Sequence, residues 1–218
     1  MFFSNLLEYT ANHFDVLVSC FIRHLALVTT SLFFSVVVAI PLGWFLSRKK
    51  ELSIVVLSIF SIIYSIPSLS LLSIFIPITG LGFKTAVIVL LLYSQFILLR
   101  NIIAGFSSIG KNVIEAGKGM GMSKTQLFFW IQLPLAAPAI LSGIRIATVS
   151  AIGIADIAAS VGAGGIGTLL FQGMQTMDYV KMFWGTVLSA GLAFCANQIL
   201  SDLEHVALLK ASGWSAET

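Results

Sequence analysis

Charge is scarce in this chain. Nine acidic and twelve basic side chains are spread over 218 residues, 10% of the total, while 58% of the residues are apolar or aromatic. A soluble domain carries about 25% charged residues, so there is too little polar surface here to cover a water-soluble globule. The mean hydropathy of +1.01 points to lipid as the solvent and excludes disorder. Cysteine is equally sparse. Cys20 and Cys195, both in apolar surroundings, exclude a disulfide scaffold and read as small buried hydrophobes. Three histidines, His13, His24 and His205, lie near segment ends and form no metal-ligand set, which argues against a metalloenzyme. The basic residues are dispersed without an aromatic-interleaved stripe, so nothing signals nucleic acid. Internal repeats and low-complexity tracts are absent as well.

What the chain does contain is a series of charge-free runs. Between Arg23 and Arg48 there is no Asp, Glu, Lys or Arg. As a helix this run is long enough to cross a hydrocarbon core of about 30 Å. It starts well inside the chain and is followed by Arg48-Lys49-Lys50, so it reads as a first span and not as a cleaved signal peptide. Residues 1–23, with Glu8, His13 and Asp15 among Phe2, Phe3, Leu6 and Leu7, read as an interfacial amphipathic segment. The run Leu52–Phe83 is longer than one span needs, and Pro67, Pro77, Gly80 and Gly82 interrupt it, which predicts a second span broken near Pro67. Lys84 and Arg100 bracket a run too short for a full crossing, so the third span must draw on its flanks. Lys111, Glu115, Lys118 and Lys124 then mark an aqueous loop, and Pro134 opens a fourth span that runs to the neighbourhood of Ser160. Gly162-Ala163-Gly164-Gly165-Ile166-Gly167 breaks the chain, and the charge-free run between Lys181 and Asp202 makes a fifth span.

With five spans, the segments after spans one, three and five share a side. That side holds Arg48, Lys49, Lys50, Arg100, Lys111, Lys118, Lys124 and Lys210, against Arg23, Lys84 and Lys181 on the other, with Arg145 inside the membrane. The excess of positive charge predicts that the loop around Glu115 and the C-terminus are cytoplasmic and the N-terminus is outside.

The loop has a specific pattern: Glu115-Ala116-Gly117, three residues, Gly121, nine residues, Ile131, one residue, Leu133-Pro134. It resembles the coupling signature of the permease subunits of binding-protein-dependent ATP-binding-cassette importers. Only Gly117 departs from it, where that family most often has Ala, and a Gly there weakens a helix by up to about 1 kcal/mol. Val113–Met120 can form about two turns that Gly121 ends, and Ser123 with Gln126 is a capping-box start for a second short helix through Trp130. The resemblance implies an all-α membrane protein with the five-helix core of the MetI-like type I importer permease fold. It also implies two separate ATPase subunits that dock on this loop, a second permease chain completing the pore, and an extracytoplasmic substrate-binding protein or lipoprotein. ATP and magnesium would be held by the ATPase, with no cofactor on this chain, and the location would be the bacterial cytoplasmic membrane. The boundaries expected are an N-terminal segment 1–23, a permease domain 24–205 with its coupling loop 101–133, and a cytoplasmic tail 206–218.

Two glycine-rich stretches imitate nucleotide sites. Gly105–Asn112 nearly spells a P-loop, but Asn112 stands where Ser or Thr must hold magnesium, and no strand precedes it. Gly162–Gly167 fits a dinucleotide fingerprint but follows a membrane helix. Neither predicts nucleotide binding by this chain.

Ile66-Pro67-Ser68-Leu69, Leu99-Arg100-Asn101 with Gly105, Val113–Met122, Ala139–Val149 around Gly143-Ile144-Arg145, and Val161–Gly167 are similar to the branch that moves glycine betaine, carnitine and choline for osmoprotection. Methionine permeases are the runner-up, and an ATP-independent transporter or channel is the competing class. Against the latter stand the lack of symmetric broken-helix halves and the shortage of intramembrane acids.

A trimethylammonium group has no hydrogen bond to donate and is held by aromatic faces. Tyr64, Phe75, Tyr93 and Phe96 are the candidates for the path, with Pro67 as a mobile point. Asp156 is a candidate to line an outward cavity. Arg145 reads as a structural cation that pairs with carbonyls or with Glu115, since ionisable groups within a span face protein or water. Their spacing, three helical turns, places Arg145 and Asp156 on one helix face but about 16 Å apart along the axis, too far to pair. Gly162, Gly164, Gly165 and Gly167 are candidates for a hinge or loop that lines the pathway.

Overall fold

A computed structural model describes residues 2–216, and every regular element among them is helical. Met1, Glu217 and Thr218 lie outside the described residues. Helix α1 (Phe2–Asn12) stops one residue short of α2 (Phe14–Leu46), with His13 stacked on Tyr9 at the joint. No helix breaker stands between Phe14 and Arg23, so this stretch continues into the first span instead of lying with the interfacial segment.

The second span is α3 (Lys50–Ser65) followed by α4 (Ser68–Thr79), bent by 97° at Ile66-Pro67. Ile66 and Pro67 are extended, with ψ of 132° and 135°. A residue before proline is pushed out of the helical region, and the proline has no N–H to give. Gly80 and Gly82 turn the chain at φ of 82° and 104°. Helix α5 (Phe83–Ser107) then runs 25 residues, beyond Arg100, because Ile102, Ile103 and Phe106 extend its buried apolar face.

After α6 (Lys111–Gly119) the chain enters α7 (Lys124–Gln126), a π-helical segment (Leu127–Gln132) and α8 (Leu133–Ala158), which ends in a 3-10 turn, Ala159–Val161. The short α9 (Gly167–Thr176) precedes α10 (Tyr179–Ala216). Helix α10 continues through residues expected to form the tail. The five expected spans therefore correspond to α2, the bent α3–α4 pair, α5, α8 with its lead-in, and α10. Among the described residues four are single helices long and apolar enough to cross a membrane, and the bent pair is the fifth.

Helix α5 is the centre of the bundle. Leu98, Leu99, Ile102, Ile103 and Phe106 pack on Ala39 and Leu46 of α2 and on Ala136, Ile140 and Ala147 of α8. Toward the other end Ala86, Val89 and Tyr93 pack on Leu27, Leu71, Leu72, Ala158 and Val161. Lipid gives no hydrophobic drive between helices, so close approach through small residues holds them together. At Gly105 a Cβ would sit 2.6 Å from Ala139 Cβ, and at Gly143 it would sit 2.8 Å from Asn101 Cβ. The outer face of α2 shows Phe33, Phe34, Val37 and Val38, as a lipid-facing surface should. The cysteines are less enclosed than expected: Cys20 is half-buried and Cys195 is exposed on α10.

Candidate functional site

The candidate coupling segment folds locally as its sequence dictates. Gly121 is left-handed at φ 79°, its N–H donates to Lys118 O (3.0 Å), and Met122 N–H donates to Gly117 O (3.1 Å). This pair of bonds is a Schellman stop for α6. Ser123 Oγ then accepts from Gln126 N–H (3.3 Å), while Gln126 Oε1 accepts from Ser123 N–H (2.8 Å), completing the capping box.

Two features differ from the sequence reading. The second helix does not end at Trp130, and no new helix opens at Pro134. Lys124–Val161 is helical throughout. The Pro134 ring would crowd the carbonyl four residues back, and the wide turn in which Leu133 N–H reaches Phe128 O relieves that crowding. The stretch 101–133 is thus mostly helix, with only residues 108–110 and 120–123 outside one.

The signature residues divide by role. Glu115, Ala116 and Gly121 are exposed, as is Pro134, whereas Gly117 and Ile131 are buried and Leu133 is half-buried. A Cβ at Gly117 would come within 2.7 Å of Leu127 Cδ1 and 3.0 Å of Ile131 Cδ1. Gly117 therefore lets α6 lie close on the lead-in of α8. Ile131 clamps the two helices together.

Sequence reasoning missed what fastens this knob to the first span. Trp44 Nε1 donates to Gln132 Oε1 at 2.7 Å, and Arg48 Nη2 donates to the same oxygen at 3.2 Å. The Arg48 guanidinium lies 3.9 Å from the centre of the Trp44 ring. Gln132 occupies the free position between Ile131 and Leu133, so the signature gives no hint of it. The available signal was a polar residue in an apolar run, with an indole and a guanidinium ending the neighbouring span.

The candidate path aromatics do meet. Tyr64 lies edge-on to Tyr93 (centroids 5.6 Å) and 5.2 Å from Phe96, directly beside the Pro67 break. The Tyr93 hydroxyl donates to Ile66 O. Tyr93 is buried, Phe96 half-buried and Tyr64 exposed, while Phe75 packs into the core beside Leu71 and Leu72.

Asp156 and the glycine stretch come together in a packed joint. Asp156 Oδ2 accepts from Ser189 Oγ of α10, and its Oδ1 lies 3.6 Å from His24 Nδ1 of α2. Ile166 N–H donates to His24 Nδ1 (3.3 Å), and Arg23 Nε donates to Ala163 O (3.1 Å). A Cβ at Gly167 would sit 2.1 Å from Asp156 O, and one at Gly165 would sit 3.1 Å from His24 Nδ1. The loop is thus wrapped by the start of the first span, with Gly165 and Gly167 buried, Gly164 half-buried and Gly162 exposed. The Asp156 carboxylate is turned to Ser189 and His24. Arg145 pairs with Glu204 (Nε to Oε2, 2.9 Å) and Asn197 (Nη1 to Oδ1, 3.4 Å) of α10, not with Glu115.

The chain is thus an apolar five-span bundle, bent once within its second span at Ile66-Pro67 and carrying a capped helical knob continuous with the fourth span. The chain belongs to the family of binding-protein-dependent transport system inner membrane components, which it matches over residues 15–208. It is a multi-pass membrane protein of that family. It is 36% identical to the carnitine transport permease protein OpuCD of Listeria monocytogenes over 92% of this chain and 90% of that one. It is 36% identical to the choline transport system permease protein OpuBB of Bacillus subtilis, over 84% of each. With the osmoprotectant import permease protein OsmY of Salmonella typhimurium it shares 38% identity over 82% of this chain and 77% of that one. Its fold is that of a chain of the MetNI methionine ABC transporter in an inward-facing conformation, with a TM-score of 0.80 at 24% identity, over 90% of this chain and 98% of the other.

Proposed function

We propose that this chain is the permease subunit of an ATP-driven importer for quaternary ammonium solutes such as glycine betaine, carnitine or choline. The observation that carries the reading is the coupling knob: exposed Glu115 and Ala116 on a helix locked by Gly117 and Ile131 to a lead-in continuous with the fourth span. The names of the similar permeases supply the substrate class.

In this reading the knob faces the cytoplasm, the C-terminus lies inside and the N-terminus outside. Two ATPase subunits hold ATP and magnesium and press on the knobs of two permease chains. A loaded binding protein docks on the opposite face. ATP-bound and ATP-free partners bind the two conformations of the pore unequally, and that difference shifts its population between outward and inward openings. High affinity resides in the binding protein, so the permease path is weakly selective. The Tyr64, Tyr93 and Phe96 faces offer a trimethylammonium group a transient cation–π surface beside the helix break.

The test is uptake by vesicles that hold the chain with its ATPase and binding protein. Glu115→Ala and Gly121→Val should insert normally yet lower ATP-driven uptake by about tenfold or more. Wild-type uptake and ATPase stimulation in both variants would overturn the coupling role. Competition among glycine betaine, carnitine, choline and methionine identifies the substrate, and displacement by methionine alone would overturn the amine assignment.

A further inference from the structure

Two hollows adjoin on the face that carries the coupling segment. The larger, about 860 Å³, runs between α2 and the lead-in of α8, with Val36, Val37, Ile40 and Pro41 on one wall and Phe128 and Phe129 on the other. The smaller, about 270 Å³, is lined by Arg48, Ile114, Lys118, Lys124, Leu127 and Gln132. They share Lys124, and Trp44, which lines the first, donates to Gln132, which lines the second, at 2.7 Å. The first is almost wholly apolar. The second brings three cations together with no carboxylate in its lining, and neither Lys118 nor Lys124 has an ion-pair partner among the described residues.

Depth determines what can fill such a shape. Val36 lies twelve positions before Arg48 in a run without charge, so the apolar groove reaches about 18 Å from the charged end of α2. That is close to the thickness of one leaflet, half of a core of about 30 Å. The cationic hollow sits at the end of the run, where headgroups lie. The groove opens on the same side of α2 as Val37, which is exposed like its neighbours Phe33, Phe34 and Val38.

We propose that the two hollows together hold one anionic phospholipid, with its acidic headgroup against Arg48, Lys118 and Lys124 and one acyl chain along Val36, Val37, Ile40 and Phe129. An apolar trough ending in clustered cations matches an amphiphile with a negative head and does not match a neutral one. Stacking on Trp44 and the bond to Gln132 hold Arg48 ready, so little side-chain order has to be gained on binding. The bound lipid would touch the coupling helix through Ile114 and Lys118, the lead-in through Lys124 and Phe129, and the first span through Val37 and Arg48. Coupling would then depend on the charge of the surrounding leaflet.

The experiment is native mass spectrometry of the assembled transporter, released from micelles that hold equal amounts of phosphatidylglycerol and phosphatidylcholine. The wild type should retain phosphatidylglycerol in preference. Lys118→Gln/Lys124→Gln should weaken that retention on the order of ten- to thirty-fold. Val37→Trp, which fills the trough and leaves every charge in place, should also remove it, while Lys84→Gln/Lys181→Gln on the opposite face should not. A thermal melt identifies any variant that is unfolded, and the lysine pair, at exposed positions, decides the matter if Val37→Trp is. Equal retention of both lipids, or retention of phosphatidylglycerol by the lysine variant, would overturn the proposal. So would disulfide capture of a second protein copy by Val37→Cys, which would make the groove a protein interface.

Discussion

The Tyr93 hydroxyl donates to the carbonyl of Ile66, the acceptor that the Pro67 break removes from its helix. In lipid no water is available to satisfy that carbonyl, so one phenol keeps a bent span tenable. Tyr93→Phe keeps the ring against Tyr64 and loses only this bond. It should lower stability by about 1–2 kcal/mol in a thermal melt while leaving the half-saturating substrate concentration unchanged. Tyr93→Ala should change both. A Phe variant that melts like the wild type would show that the break needs no such cap.

The glycine loop predicts a graded series. Gly167→Ala drives a Cβ to 2.1 Å from the Asp156 carbonyl oxygen, so backbone must move. Gly165→Ala, at φ 89°, combines left-handed strain with contacts of 3.1–3.2 Å to His24. Gly162→Ala has open space and only the strain of φ 79°, about 1 kcal/mol. Yield and melting temperature of the purified variants should fall in the order Gly162, Gly165, Gly167. Equal tolerance at all three would contradict the packed joint.

The Arg145–Glu204 pair ties α8 to α10 with both side chains partly enclosed. Removing one partner strands a charge in a poorly hydrated site, at a cost of about 3–5 kcal/mol if fully buried and less at this exposure. Arg145→Leu and Glu204→Leu should each destabilise, and the double variant should melt above either single. A double-mutant cycle with no coupling would show that the pair is incidental.

Gln132 accepts from both Trp44 and Arg48. Gln132→Met keeps the bulk and removes the acceptor, leaving a half-buried indole N–H unpaired at about 1–3 kcal/mol. Adding Trp44→Phe removes the orphaned donor, so the double variant should regain part of the loss in melting temperature. Uptake should fall in the single variant because the first span is loosened from the coupling segment.

What can be read from the sequence follows from the range of each interaction. The spans are legible because lipid tolerates few charges, and Arg23, Arg48, Arg100 and Lys181 therefore punctuate the chain. The α6 stop and the Ser123 box are legible because each closes within a few residues. The passage through Pro134 is not, since it depends on a change of helix pitch that no single residue announces. Asp156 and Arg145 defeat a local reading because their partners Ser189 and Glu204 lie 33 and 59 positions along the sequence. His24, at the end of a segment and without a ligand set, meets Ile166 across 142 positions, a contact that exists only once the bundle has closed. Tyr64, Tyr93 and Phe96 are singled out by the chemistry of a trimethylammonium group, and their meeting at the break follows from the α3–α5 contact.

The unbroken helix Lys124–Val161, 38 residues and about 57 Å, has a mechanical consequence. Its tightest crossing of α5 falls between Ala139 and Gly143, where Gly105 and Asn101 leave no slack. That crossing divides the rod into lengths of about 25 and 30 Å. Gln126 and Asp156 therefore stand at comparable distances on either side of that crossing, and the glycine joint and the start of the first span are fastened to the far end of the same rod.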